Sequence, residues 1–142
     1  MNRRIVAIVL FALFAVAEIG DLVGLIITLA DPTAAAALLG ISPRAESIRA
    51  VILVALAVLI VMNALIAVAG ALARSALLFQ FGALMTGVGL VMYGAYQVLS
   101  AIFQHGQLLY AGVGLVYAAL GALALWLARS TPAIAAKPRP SA

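Results

Sequence analysis

The stretch Ala15-Val16-Ala17-Glu18-Ile19-Gly20-Asp21 decides how this chain is read, because it sets two carboxylates inside an apolar run that extends over residues 5–30. At about 1.5 Å of rise per residue, a helix of that length crosses the roughly 30 Å hydrocarbon core of a bilayer with tilt to spare. Composition points the same way. The chain has 142 residues, of which 68% are hydrophobic and 8% charged, about a third of the charge of a soluble domain. No water-soluble fold of this size hides that much apolar surface. A cleavable export signal ending at Ala17 is the rival for the first run, and continuation of apolar sequence to Ala30 argues against it.

Outward from this run, Asp31-Pro32 stops the first span and starts a short interfacial helix that Gly40 closes. Ser42-Pro43 repeats the start signal, so the second helix carries Arg44, Glu46 and Arg49 on its first turns and enters lipid near Ala50. The uncharged runs 50–73, 76–102 and 108–128 complete four spans. Arg74-Ser75 and residues 103–107 are the brief connections between them, and Trp126 with Arg129 anchors the last edge. The fold class is therefore all-α: a membrane-embedded four-helix bundle, up-down-up-down, over residues 1–129, with a disordered proline-rich tail over residues 130–142.

Arg3, Arg4, Arg74, Arg129, Lys137 and Arg139 fall on one side of these spans, and only Arg44 and Arg49 on the other. The excess of positive charge makes the first side cytoplasmic, with both termini there, in a multi-pass protein of the cell membrane. The basic residues mark topology and not a nucleic-acid surface. Gly20 and Gly24 on the first span, Gly87 and Gly94 on the third, and Gly114 and Gly121 on the fourth supply small faces for helix packing.

Glu18 and Asp21 are three residues apart and share a helix face in the outer half of the span. A charge near the bilayer centre costs about 2.5 to 3.5 kcal/mol, so Glu18 is expected protonated, paired, or turned into a watered interior. Arg49, at the outer edge, is the expected partner of Asp21. Tyr93 and Gln97, with Gly89, line one face of the third span, and Tyr110 and Tyr117 one stripe of the fourth. Glu18, Asp21, Arg49, Tyr93, Gln97 and Tyr117 together form a candidate polar cavity open to the outside. Asn63 is expected to bond across helices, to Gln80 or Thr86. His105 stands in a loop without a second ligand at metal spacing, and no cysteine is present. No catalytic, cofactor or metal site is expected, and the chain reads as non-enzymatic.

The order of a first span ending in Asp31-Pro32, a Leu38-Leu39-Gly40 turn, Ser47-Ile48-Arg49 opening the second span, and a closing Tyr117 to Trp126-Leu127-Ala128-Arg129 resembles the DoxX-like group of small bacterial four-span proteins. That resemblance implies a bacterial inner-membrane protein acting as a structural or accessory partner, in a homo-oligomer or beside another membrane subunit. Ala15-Val16-Ala17-Glu18-Ile19-Gly20 is also similar to the first span of the small multidrug resistance transporters. This second similarity implies proton-coupled carriage of small or lipophilic cations, with Glu18 exchanging the proton. The longer 31–49 connection, the extra acid Asp21, and a tyrosine in place of that family's tryptophan on span three depart from its pattern.

Overall fold

A computed structural model describes residues 2–103 and 108–135. They form α1 (Arg3–Ala30), α2 (Pro32–Leu39), α3 (Pro43–Ala73), α4 (Ala76–Phe103), α5 (Leu108–Ala128) and α6 (Thr131–Ala135). Four of these, α1, α3, α4 and α5, are long and apolar enough to cross a membrane. The architecture is the all-α four-helix membrane bundle.

Local chemistry accounts for the boundaries. Asn2 caps α1 by accepting from the Arg4 amide at 3.1 Å. Asp31 ends α1 and starts α2, accepting from the Thr33 amide at 3.1 Å beside Pro32 in the first turn. Gly40, at φ 67°, takes the left-handed conformation that closes α2. Ser42 then accepts from the Ala45 amide at 3.2 Å, and Pro43 opens α3. Caps of this kind are worth about 1 kcal/mol each. The far end of α3 is satisfied from α1: Arg4 donates from Nε to the Ala71 carbonyl at 2.7 Å and from Nη2 to the Leu72 carbonyl at 2.9 Å. A cation at a helix C-terminus also complements the helix dipole.

Packing follows chain order, α1 against α3, α3 against α4 and α4 against α5, whereas α1 and α5 make no comparably close approach. The most enclosed span is α4 and the least enclosed is α5. Glycine makes the α4–α5 contact possible. A Cβ on Gly114 would stand 2.6 Å from the Gly94 carbonyl oxygen, and one on Gly121 would stand 2.8 Å from that of Gly87. The two glycine stripes therefore face each other, which is how helices gain van der Waals contact in lipid. Gly70 and Gly82 play the same part between α3 and α4. Near the end where α1 begins and α5 finishes, Phe11 sits edge-on to Phe14 and to Phe79, at 5.7 and 5.8 Å.

Three expectations need correction here. Gly20 and Gly24 do not pack against any of the described residues, since a Cβ on either would meet nothing within 4 Å there. Asn63 does not reach Gln80 or Thr86; its Nδ2 donates back to the Leu59 carbonyl at 2.8 Å. At this crossing a Cβ on Gly82 would already lie 2.7 Å from the Asn63 carbonyl oxygen, so the helices are too close for a side-chain bridge. The tail expected to lack structure from residue 130 begins instead with α6, which packs against α4 and α1. Ile134 is buried there, and Thr131 donates to the Ala128 carbonyl, so one apolar side chain extends the fold across the end of the bundle. The remainder of the tail, with Lys137 and Arg139, lies outside the described residues, as does His105.

Candidate functional site

The six residues singled out from the sequence converge in the half of the bundle nearer α2, as directly contacting side chains in two linked clusters. The first lies between α3 and α4. Arg49 donates from Nε to Glu46 Oε2 and from Nη2 to Glu46 Oε1, both at 2.8 Å. Its Nη1 donates to Gln97 Oε1 at 3.3 Å. The Tyr110 ring centroid lies 5.9 Å from the guanidinium, which brings α5 into the same contact.

Arg49 is therefore not the partner of Asp21. The reason is local: Glu46 is three residues away on the same helix face, and its two oxygens match the planar guanidinium fork. Glu46, fully buried, is the site residue that the sequence reading missed. Its spacing to Arg49 was the available signal, masked by its place in a stretch that reads as interfacial.

The second cluster joins α1 to α4 and α5. Asp21 Oδ2 accepts from the Tyr93 hydroxyl and, at 3.2 Å, from the Tyr117 hydroxyl. The tyrosine rings stack, with centroids 4.5 Å apart and planes at 22°. Tyr93 is almost completely enclosed, while Tyr117 and Asp21 are half-buried. Glu18 completes this group from one turn below Asp21 and is only 2% exposed. The Tyr117 hydroxyl stands within reach of both carboxyls, but its single hydrogen serves one of them. Glu18 Oε2 is left buried without a hydrogen-bond partner.

The clusters meet through α4, where Tyr93 and Gln97 lie one helical turn apart on the face predicted for them, with Gly89 buried beside them. They differ in charge balance. Glu46 has a bidentate cation, whereas neither Glu18 nor Asp21 has a cationic partner among the described residues. Buried polar groups are normally satisfied, so an orphaned carboxyl oxygen marks a place where something else binds or where a proton is held. No grouping of three or more His, Cys, Asp or Glu side chains suited to a metal occurs among the described residues.

No protein-family model, curated protein or solved structure matches this chain.

Proposed function

We propose that the Glu18–Asp21 cluster is the working site of a small membrane carrier that exchanges a proton for a cation. The observation that supports this reading is the partnerless, buried Oε2 of Glu18 beside a second carboxyl already engaged by two phenols. A carboxyl in that setting holds a proton when the site is empty and releases it when a cation takes its place. The groups facing it are Asp21 on its own helix, Tyr93 on α4 and Tyr117 on α5; from α3 the nearest charges, Glu46 and Arg49, are spent on one another. Both termini are assigned to the cytoplasmic side of a cell membrane on the arginines gathered at that end, and the chain is read as non-enzymatic.

The test is proton release from purified, reconstituted protein in weak buffer on addition of lipophilic cations. The unaltered protein is expected to release close to one proton per bound cation. Glu18→Gln, which keeps size and hydrogen bonding but exchanges no proton, should abolish release while the helical circular dichroism stays unchanged. Release that survives Glu18→Gln, or none from the unaltered protein, overturns the reading.

A second reading, an accessory partner of the DoxX-like kind, is favoured by one observation. Gly20 and Gly24 present bare backbone to open space on α1, a surface on which a second copy or another membrane subunit can seat closely. Crosslinking through cysteines placed at Gly20 and Gly24 checks it, since only the partner reading gives a discrete adduct.

A further inference from the structure

Glu18 is an acid without an approach. It is only 2% exposed, and the grooves along α1, one at Arg3, Val6 and Trp126 and one running from Ile5 to Leu13, stop short of it. Asp21, one turn nearer α2, is half-buried and so keeps an open edge. A proton that Glu18 gains or loses in this structure therefore has to pass through a side chain. The groups around it are few. Asp21 lies on its own helix, Tyr93 comes from α4 and Tyr117 from α5. On α3, Glu46 and Arg49 pair with one another, and Asn63 turns back on the Leu59 carbonyl.

Of these groups, a hydroxyl is suited to receive one proton while giving up another. The Tyr117 hydroxyl donates to Asp21 Oδ2 at 3.2 Å and also stands within reach of the Glu18 carboxyl. Its ring is stacked on Tyr93 at 4.5 Å, which fixes the ring and leaves the O–H free to rotate. Tyr93 itself donates to Asp21 and not to Glu18. Beyond Tyr93 the contacts run on to Gln97 and Arg49, but neither an amide nor a guanidinium hands protons on, since arginine is not deprotonated in proteins. Transfer is thus confined to the two carboxyls and the phenol between them.

We propose that Tyr117 is the proton relay between Asp21 and Glu18. In the inward step, protonated Asp21 passes its hydrogen to the phenol oxygen as the phenol's own hydrogen leaves for the Glu18 carboxylate. One O–H bond breaks on Asp21 and one forms on Glu18, the phenol is restored, and no charge is left on the tyrosine. Rotation of the hydroxyl about its C–O bond resets it, and the reverse sequence empties Glu18. The inference rests on the carrier reading for the use to which the proton is put, and adds its route and its point of entry, Asp21.

The experiment switches protein in phosphatidylcholine bilayers from H2O to D2O and follows the infrared C=O band of protonated carboxyls. The part of that band missing from Glu18→Gln belongs to Glu18. Tyr117→Phe keeps the ring and removes the relay, so Glu18 deuteration should slow about a hundredfold or more, the usual contribution of a positioned proton-transfer group. Tyr96→Phe, the same change at a half-buried tyrosine outside the cluster, should leave the rate alone. Proton release on adding tetraphenylphosphonium should also slow in Tyr117→Phe yet reach the same final amount, a split between rate and extent that loss of packing does not produce. Unchanged deuteration in Tyr117→Phe, or a slowing that Tyr96→Phe shares, overturns the relay and leaves the carrier reading standing if protons are still released. Deuteration that depends on Tyr117, without release on adding tetraphenylphosphonium, overturns the carrier reading and supports the relay. Absence of a Glu18 band from the unaltered protein overturns both. If Tyr117→Phe does not reconstitute, Asp21→Asn, which removes the entry point, decides: slowed deuteration of Glu18 supports the relay, and an unaltered rate overturns it.

Discussion

The two sides of this bundle use the same residue types to opposite ends. Between α3, α4 and α5, glycines touch backbone, and the buried acid Glu46 is held by both arms of Arg49. On α1, among the described residues, Gly20 and Gly24 touch nothing, and the acids Glu18 and Asp21 have no cation. Small residues and acids therefore carry no fixed meaning in a membrane helix. What decides is whether a neighbour comes close enough to use the bare backbone and whether the opposite charge sits within one helical turn. The closed side is built to hold its shape, and the open side keeps a buried carboxyl oxygen without a partner.

The most severe test of this comparison is Arg49→Ala. Removing the guanidinium leaves Glu46 buried without its cation, and breaking a buried pair in this way costs about 3 to 5 kcal/mol. The expected result is a large drop in the unfolding midpoint in detergent. Replacing both members, Glu46→Gln with Arg49→Met, should cost much less than the two single changes added together, because no stranded charge remains. Strict additivity would show that the closed side is not held by this pair, and the contrast with Glu18 would lose its basis.

A smaller effect is expected from adding one methyl group on each side. Gly94→Ala drives a Cβ into the Gly114 carbonyl and the Ala118 amide of α5, and overpacking of that kind costs typically about 1 to 3 kcal/mol. Gly20→Ala meets nothing and should be neutral, or stabilising by the better helix propensity of alanine. Thermal unfolding of the two variants side by side measures the difference. Equal losses would mean that α1 has a partner in the sample, which is itself the signature of a homo-oligomer.

Much of this was legible in the chain because the bilayer imposes strong rules on sequence. Apolar run length located all four spans, and Asp31-Pro32, Gly40 and Ser42-Pro43 marked helix boundaries that the structure repeats. Period alone brought Gly89, Tyr93 and Gln97 to one buried face. Pairing was harder to read. Asp21 and Arg49 were matched by depth, yet an ion pair forms with whichever group has the right reach and fork geometry, and Glu46 has both. The idle glycines were equally hidden, since Gly20-Gly24 and Gly87-Gly94 look alike until the neighbour of each helix is known. Residues 131–135 misled because a proline-rich composition outweighed the one isoleucine that finds a buried seat.

The smallest effect should come from the acid that belongs to neither side. Asp31 is fully solvated, and the hydrogen bonds it accepts from the Thr33 hydroxyl and amide hold its carboxyl below the usual 3.8. A group whose folded value is depressed adds stability above its unfolded value and loses it as pH falls through the folded one. Asp31→Asn keeps an effective cap but does not titrate. The unaltered protein should therefore be slightly the more stable at neutral pH, with the gap to Asp31→Asn closing as pH falls below 3.8. Unfolding midpoints of the two proteins across that range decide the matter. A gap that stays constant would mean that the cap works through geometry alone.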